Sequence, residues 1–97
     1  MSTENPVRAL KGTAPDIDTI VGQRIHTLMW EGRVKNKDIA ALIGVDASAI
    51  GKKLRGDQKF SIEQLRVIAD ALESSIAYFV GESDIKHPNQ PEDPTMD

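Results

Sequence analysis

Between Asn36 and Lys59 the chain gathers side chains that suit a polyanionic partner. Lys37, Lys52, Lys53, Arg55 and Lys59 lie in this stretch, and each could neutralise a phosphate. Lysine can also donate to O6 or N7 of guanine, Ser48 can bond several base edges, and the methyls of Ala47 and Ala49 can meet that of thymine. The whole chain carries −3, which looks wrong for such a partner until it is divided along its length. From Arg33 to Lys59 there are seven bases and three acids, a net +4. From Glu82 to Asp97 there are five acids and one lysine, a net −4. A phosphate backbone would feel the local excess, not the overall pI of 5.3.

Other chemistries are poorly served. The chain has no cysteine, which excludes disulfides and thiolate metal sites and fits a reducing cytosol. His26 and His87 stand too far from other ligand types for a metal site, and the acids are scattered surface charges. No Ser-His-Asp or Cys-His set is in prospect, so neither an enzyme nor a cofactor is expected, and no small-molecule ligand is evident. No apolar run approaches the ~18 residues of a membrane span, and MSTENPVRAL lacks the apolar core of a secretory signal. A cytoplasmic, nucleoid-associated protein is the expectation. Trp30 reads as a packing residue.

The elements that must position these side chains are helices. Residues 1–15 hold Pro6, Gly12 and Pro15 without periodicity and read as a flexible arm carrying Arg8 and Lys11. Residues 82–97 hold three prolines and many acids and read as a disordered tail. The expected folded domain spans residues 16–81. Asp16 or Asp18 can cap a first helix with Val21, Ile25, Leu28 and Met29 on one face, ending at Gly32. A short second helix runs from Asn36 to Ile43. Gly44 tolerates the positive φ of a tight turn, and Asp46 can cap a third helix reaching about Arg55, before Gly56. Ser61-x-x-Gln64 is a capping-box pattern opening a fourth helix, with Ile62, Leu65, Ile68, Ala69 and Leu72 as its buried stripe. A last helix from Ser75 to Val80 completes an all-α fold of five helices.

The spacing Asn36-x3-Ala40-x3-Gly44-x5-Ile50 is that of a helix-turn-helix. Two steeply crossed helices need a small residue where their backbones approach, a turn residue that can go left-handed, and a branched anchor one turn into the second helix. Ala40, Gly44 and Ile50 supply these, with Val45 beneath. At about 100° per residue, an inward Ile50 places Leu54 beside it and turns Ser48, Lys52 and Arg55 to the opposite face, with Ala49 and Gly51 on the shoulders.

On these residues the stretch from Val21 to Phe79 resembles the lambda-repressor-like (Cro/C1-type) helix-turn-helix family. The run KKLRGDQKFSIEQLRVIADAL is similar to short repressors of actinobacterial phages. The resemblance implies a five-helix domain whose third helix enters the DNA major groove, usually as a dimer on a palindrome. It assigns base reading to Ala47, Ser48 and Lys52, with Ala49 alongside. Asn36 matches the place of a phosphate-binding glutamine, and Arg55, the Gly56 amide and Lys59 match the loop that grips the backbone. Lys37 and Lys53 are assigned to phosphates with them. Two departures stand out. Met29 and Leu54 occupy positions where many members have an Arg–Glu ion pair, which implies an apolar contact instead. The reading helix is also unusually small-residued, so specificity would lean on Lys52, on DNA shape or on the arm.

The expected function is sequence-specific double-stranded DNA binding at an operator, as a homodimeric phage repressor or Cro-like regulator. Antitoxins and restriction-modification controllers of the same fold are alternatives, as is an interaction module that has lost DNA binding. The apolar residues Ile76, Phe79 and Val80 exceed what a short closing helix needs and are the expected dimer seam.

Overall fold

The computed structural model describes residues 16–88. The arm with Arg8 and Lys11, and the tail beyond residue 88, lie outside the described residues. Those residues form five helices and no strand: α1 (Ile17–Gly32), α2 (Asn36–Ile43), α3 (Ala47–Leu54), α4 (Ile62–Ala71) and α5 (Ile76–Phe79). The all-α expectation is met, with element limits within a residue or two of those read from the sequence.

Each boundary has a local cause. The Asp16 carbonyl accepts from the Thr19 and Ile20 amides to start α1, while its carboxylate makes no capping bond. At the other end Arg33, not Gly32, takes the left-handed conformation (φ 59°), a strain of roughly 1–2 kcal/mol for a residue with a Cβ. The Val34 amide then donates to the Met29 carbonyl at 2.8 Å, and Val34 packs on the core, closing the turn with an apolar contact. Gly44 takes φ 75° as expected, and the Gly44 and Val45 amides both donate to the Ala40 carbonyl. Ser61 and Gln64 form the reciprocal capping box, both bonds at 3.0 Å. The Ser75 hydroxyl accepts from the Tyr78 amide to cap α5.

One core joins all the helices. The largest fully buried side chains are Ile25, Ile39, Ile50, Ile68 and Phe79, one from each of α1 to α5. Fully burying each contributes about 1.5–3 kcal/mol, so no helix is held by propensity alone. Met29 is buried and Leu54 partly buried, both in this cluster where the resemblance had an ion pair.

Some expectations need correction. Ile62 opens α4 with 70% of its surface exposed, outside the buried stripe that Leu65, Ile68 and Ala69 form. Trp30 is 79% exposed and does not pack in the core. Phe79 is wholly buried, so it closes the core and is not available to a dimer seam, and Ile76 and Val80 pack partly on the same cluster. The chain beyond Gly81 also returns to the domain. Arg24 donates to the Ser83 carbonyl at 3.0 Å and pairs with Asp84 at 3.3 Å, its guanidinium 4.7 Å from the Tyr78 ring centroid. Lys86 pairs with Glu31 at 2.6 Å, and His87 donates from Nδ1 to the Glu73 carbonyl at 2.8 Å.

The tightest approach is between α1 and α3. A Cβ on the buried Gly22 would overlap the Leu54 carbonyl, whose carbon would be only 2.6 Å away. Gly22→Ala must therefore push backbone against backbone and is expected to cost more than about 2 kcal/mol of unfolding free energy. Gly44→Ala meets nothing within 4 Å and pays only for its left-handed φ, about 1–2 kcal/mol. Urea denaturation of the two variants checks the order; equal losses would mean that the helix crossing is soft.

Candidate nucleic-acid interface

Helix α3 presents two faces. Ile50 is wholly buried and Leu54 partly so, while Ala47, Ser48, Lys52 and Arg55 are exposed, as the helical wheel requires. Ala49 and Gly51 are half-buried on its flanks. Asn36 and Lys37 are exposed at the start of α2. A Cβ on Gly51 would lie 3.5 Å from Arg55 Nη1 and 4.0 Å from Asn36 Nδ2. Gly51 is thus the gap between two polar groups, and any side chain there would cover them. Sequence reading had placed it only on a shoulder.

The remaining expected residues divide. Lys53 is 9% exposed and turned inward, its Nζ donating to the Lys59 carbonyl at 2.7 Å and lying 5.4 Å from the Phe60 ring centroid. It ties the end of α3 to the following loop and does not face a phosphate. The Gly56 amide donates to the Lys53 carbonyl at 3.1 Å, so it too is engaged within the fold. Gly56 is required for another reason: it has φ 87°, and a Cβ would come 2.8 Å from Thr19 Oγ1 and 3.2 Å from the Thr19 backbone.

Two of the exposed cations are held by acids. Lys59 Nζ pairs with Asp18 in the first turn of α1 at 2.7 Å, and Arg55 Nε pairs with Asp57 at 3.2 Å. The Asp18 carboxylate, by its hydrogen bond and its charge, holds the Lys59 ammonium above the ordinary lysine value. The group stays charged through the physiological range, and the exposed pair orients it without contributing much stability. Lys37 and Lys52 have no ion pair among the described residues. The exposed face of α3 is small-residued and bears Lys52 and Arg55, with Asn36 close to it beside Gly51, while Lys37 and Lys59 are exposed on the segments before and after α3. Among the described residues there is no cluster of three or more His, Asp or Glu that could hold a metal ion.

A family model, the BetR domain, matches residues 16–96. The chain belongs to the BetR domain family, a helix-turn-helix-like regulator domain. No curated protein matches this BetR domain. Among solved structures it is similar to the clp gene regulator ClgR from Corynebacterium glutamicum. The TM-score is 0.65 at 22% identity, over 70% of this chain and 72% of that one, a likeness of fold.

The division of the lysines in this BetR domain is measurable on the free protein. Lys53→Ala loses a buried charge-assisted hydrogen bond and the packing of its stem and is expected to lose about 1.5–3 kcal/mol of stability. Lys52→Ala should stay within about 0.5 kcal/mol of the parent, as an exposed change without partners does. Equal urea midpoints for the two variants would put Lys53 back on the surface.

Proposed function

We propose that this BetR domain is a sequence-specific double-stranded DNA-binding regulator of transcription that docks α3 in the major groove. The observation that carries the reading is the outward face of α3: Ala47, Ser48 and Lys52 stand exposed, and Arg55 and Asn36 lie beside Gly51 at the edge of that face. Lys52 donates to a guanine edge, Ser48 bonds a neighbouring base, and the alanine methyls meet thymine. Asn36, Lys37, Arg55 and Lys59 hold the phosphates that fix the register. The fold-level likeness to a protein described as a gene regulator supports the same reading.

With few bidentate donors, one copy makes too few base contacts for an operator affinity of about 10⁻⁸–10⁻¹¹ M. The domain acts as a homodimer on a symmetric site, its half-sites ~34–36 Å apart, in the manner of a Cro- or C1-like phage repressor.

Selection from genomic fragments followed by footprinting tests the proposal, and binding that is neither sequence-selective nor salt-dependent would refute it. On the selected site, Lys52→Ala is expected to lose about 1–3 kcal/mol and relax preference at one base pair. Arg55→Ala and Lys59→Ala should weaken specific and random DNA alike and lower the slope of log K against log salt by up to about one each. The same loss on every sequence for Lys52→Ala would reassign that lysine to a phosphate.

A further inference from the structure

On the side of the domain formed by α2, α4 and α5 lies a hollow of about 840 Å³, walled by Leu42, Val67 and Ile76, with Ser74 among its lining residues. The Ser74 Oγ is buried and has no hydrogen-bond partner. Such a group costs about 1–3 kcal/mol unless something meets it. Arg66 and Asp70 stand on the rim, one helical turn apart, and neither has an ion pair among the described residues. At the other end of α4, Ile62 projects with 70% of its surface exposed, and Leu42 is 43% exposed. The helix therefore carries an apolar knob at its start and, running beside it from Glu63 to Ala71, a hollow that Arg66 and Asp70 line with charges of opposite sign.

We infer that this face of α4 pairs antiparallel with the same face of a second copy of the chain. A two-fold contact repeats each interaction, so it must join a surface to itself. A two-fold axis passing between the exposed Arg66 and Asp70 brings Arg66 against Asp70 of the second copy, twice. The same axis brings each Ile62 to the other copy's hollow, over Ile76 and Leu42. Arg66 has five N–H donors in a planar fork, suited to holding the Asp70 carboxylate of the second copy through two bonds. None of the residues lining the hollow belongs to α3, so the base-reading face stays free in the pair. The surface deepens the homodimer of the proposed function and replaces the seam once expected at Phe79, though association itself needs no DNA.

Sedimentation equilibrium of the full chain without DNA tests the pairing. The wild type is expected to show a concentration-dependent monomer–dimer equilibrium. Arg66→Glu and Asp70→Lys should each raise the dimer dissociation constant at least ~10-fold, since each sets like charges opposite one another. The double variant restores the pair in reverse and should regain most of the loss, which a merely unfolded single variant could not do. Helical circular dichroism should be unchanged throughout. A wild type that stays monomeric at every concentration, or an Arg66→Glu variant that dimerises like the wild type, overturns the inference. A double variant as weak as the singles overturns the Arg66–Asp70 contact on which it rests. Intact dimers without DNA affinity would instead sink the functional reading and leave this interface standing.

Discussion

The close crossing of α1 and α3 sets everything that the molecule shows on its surface. Gly22 lets the Leu54 carbonyl reach the backbone of α1, and Gly56 lets the next loop sit on Thr19 one turn earlier. The two glycines act as successive bolts along the first half of α1. Because the contact is backbone on backbone, it fixes the direction of α3 more rigidly than a pair of adaptable side chains would. Ile50 is then driven inward, and Ser48 and Lys52 are driven outward by the geometry of the helix itself. A rotation of α3 by one residue would bury Ala49 or Gly51 in place of Ile50 and open the core. The exposed face of α3 is therefore positioned by packing on its far side.

Charge is distributed with similar economy. Of the seven bases between Arg33 and Lys59, Lys53 is spent inside the fold, and Lys59 and Arg55 stand beside acids. Lys35, Lys37 and Lys52, by contrast, have no ion pair among the described residues. A phosphate approaching Lys59 or Arg55 must share it with a carboxylate already there, which lowers the gain from each such contact. The pairing also holds both side chains in place, so less rotamer entropy is lost when a partner arrives. Weakly attractive single copies make an assembly of two copies matter more.

How much of this was legible in the sequence follows from what each signal measures. Apolar periodicity gave α1 and α4 because those helices lean on one core, and Ser61 and Gln64 fixed the start of α4 to the residue through two reciprocal bonds. Gly44 was readable because a left-handed turn residue has few alternatives. Gly22 was not: within an apolar stripe a glycine registers only as a poor helix former, and the carbonyl it admits comes from residue 54. Lys53 could have been found. On the same wheel that turned Lys52 outward it lies about 60° from Ile50, nearly as close as Leu54, so its stem had to lie on the core side. Ile62 misled because position within a stripe says nothing about whether a neighbouring helix reaches that far. The return of residues 82–88 to α1 hangs on Arg24, Glu31 and the Glu73 carbonyl, three distant partners that local composition cannot supply.

The arrangement of the core leaves room on one small domain for the two proposed faces. With one large side chain from each helix meeting at the centre, every helix keeps its opposite side out of the core. Helix α3 uses that side for small polar residues and one lysine, and α4 uses it for an apolar knob, an arginine and an aspartate. Helix α3 packs on α1 and α2, and α4 packs on α2 and α5, so the two faces meet only through the shared core that holds Ile50 and Ile68. Changes on the outer surface of α4 therefore leave the geometry of α3 intact, while a change at Gly22 acts on α3 directly. Affinity for a nucleic acid and affinity for a second copy can then vary separately, which a domain of this size could not manage if the same helix served for both.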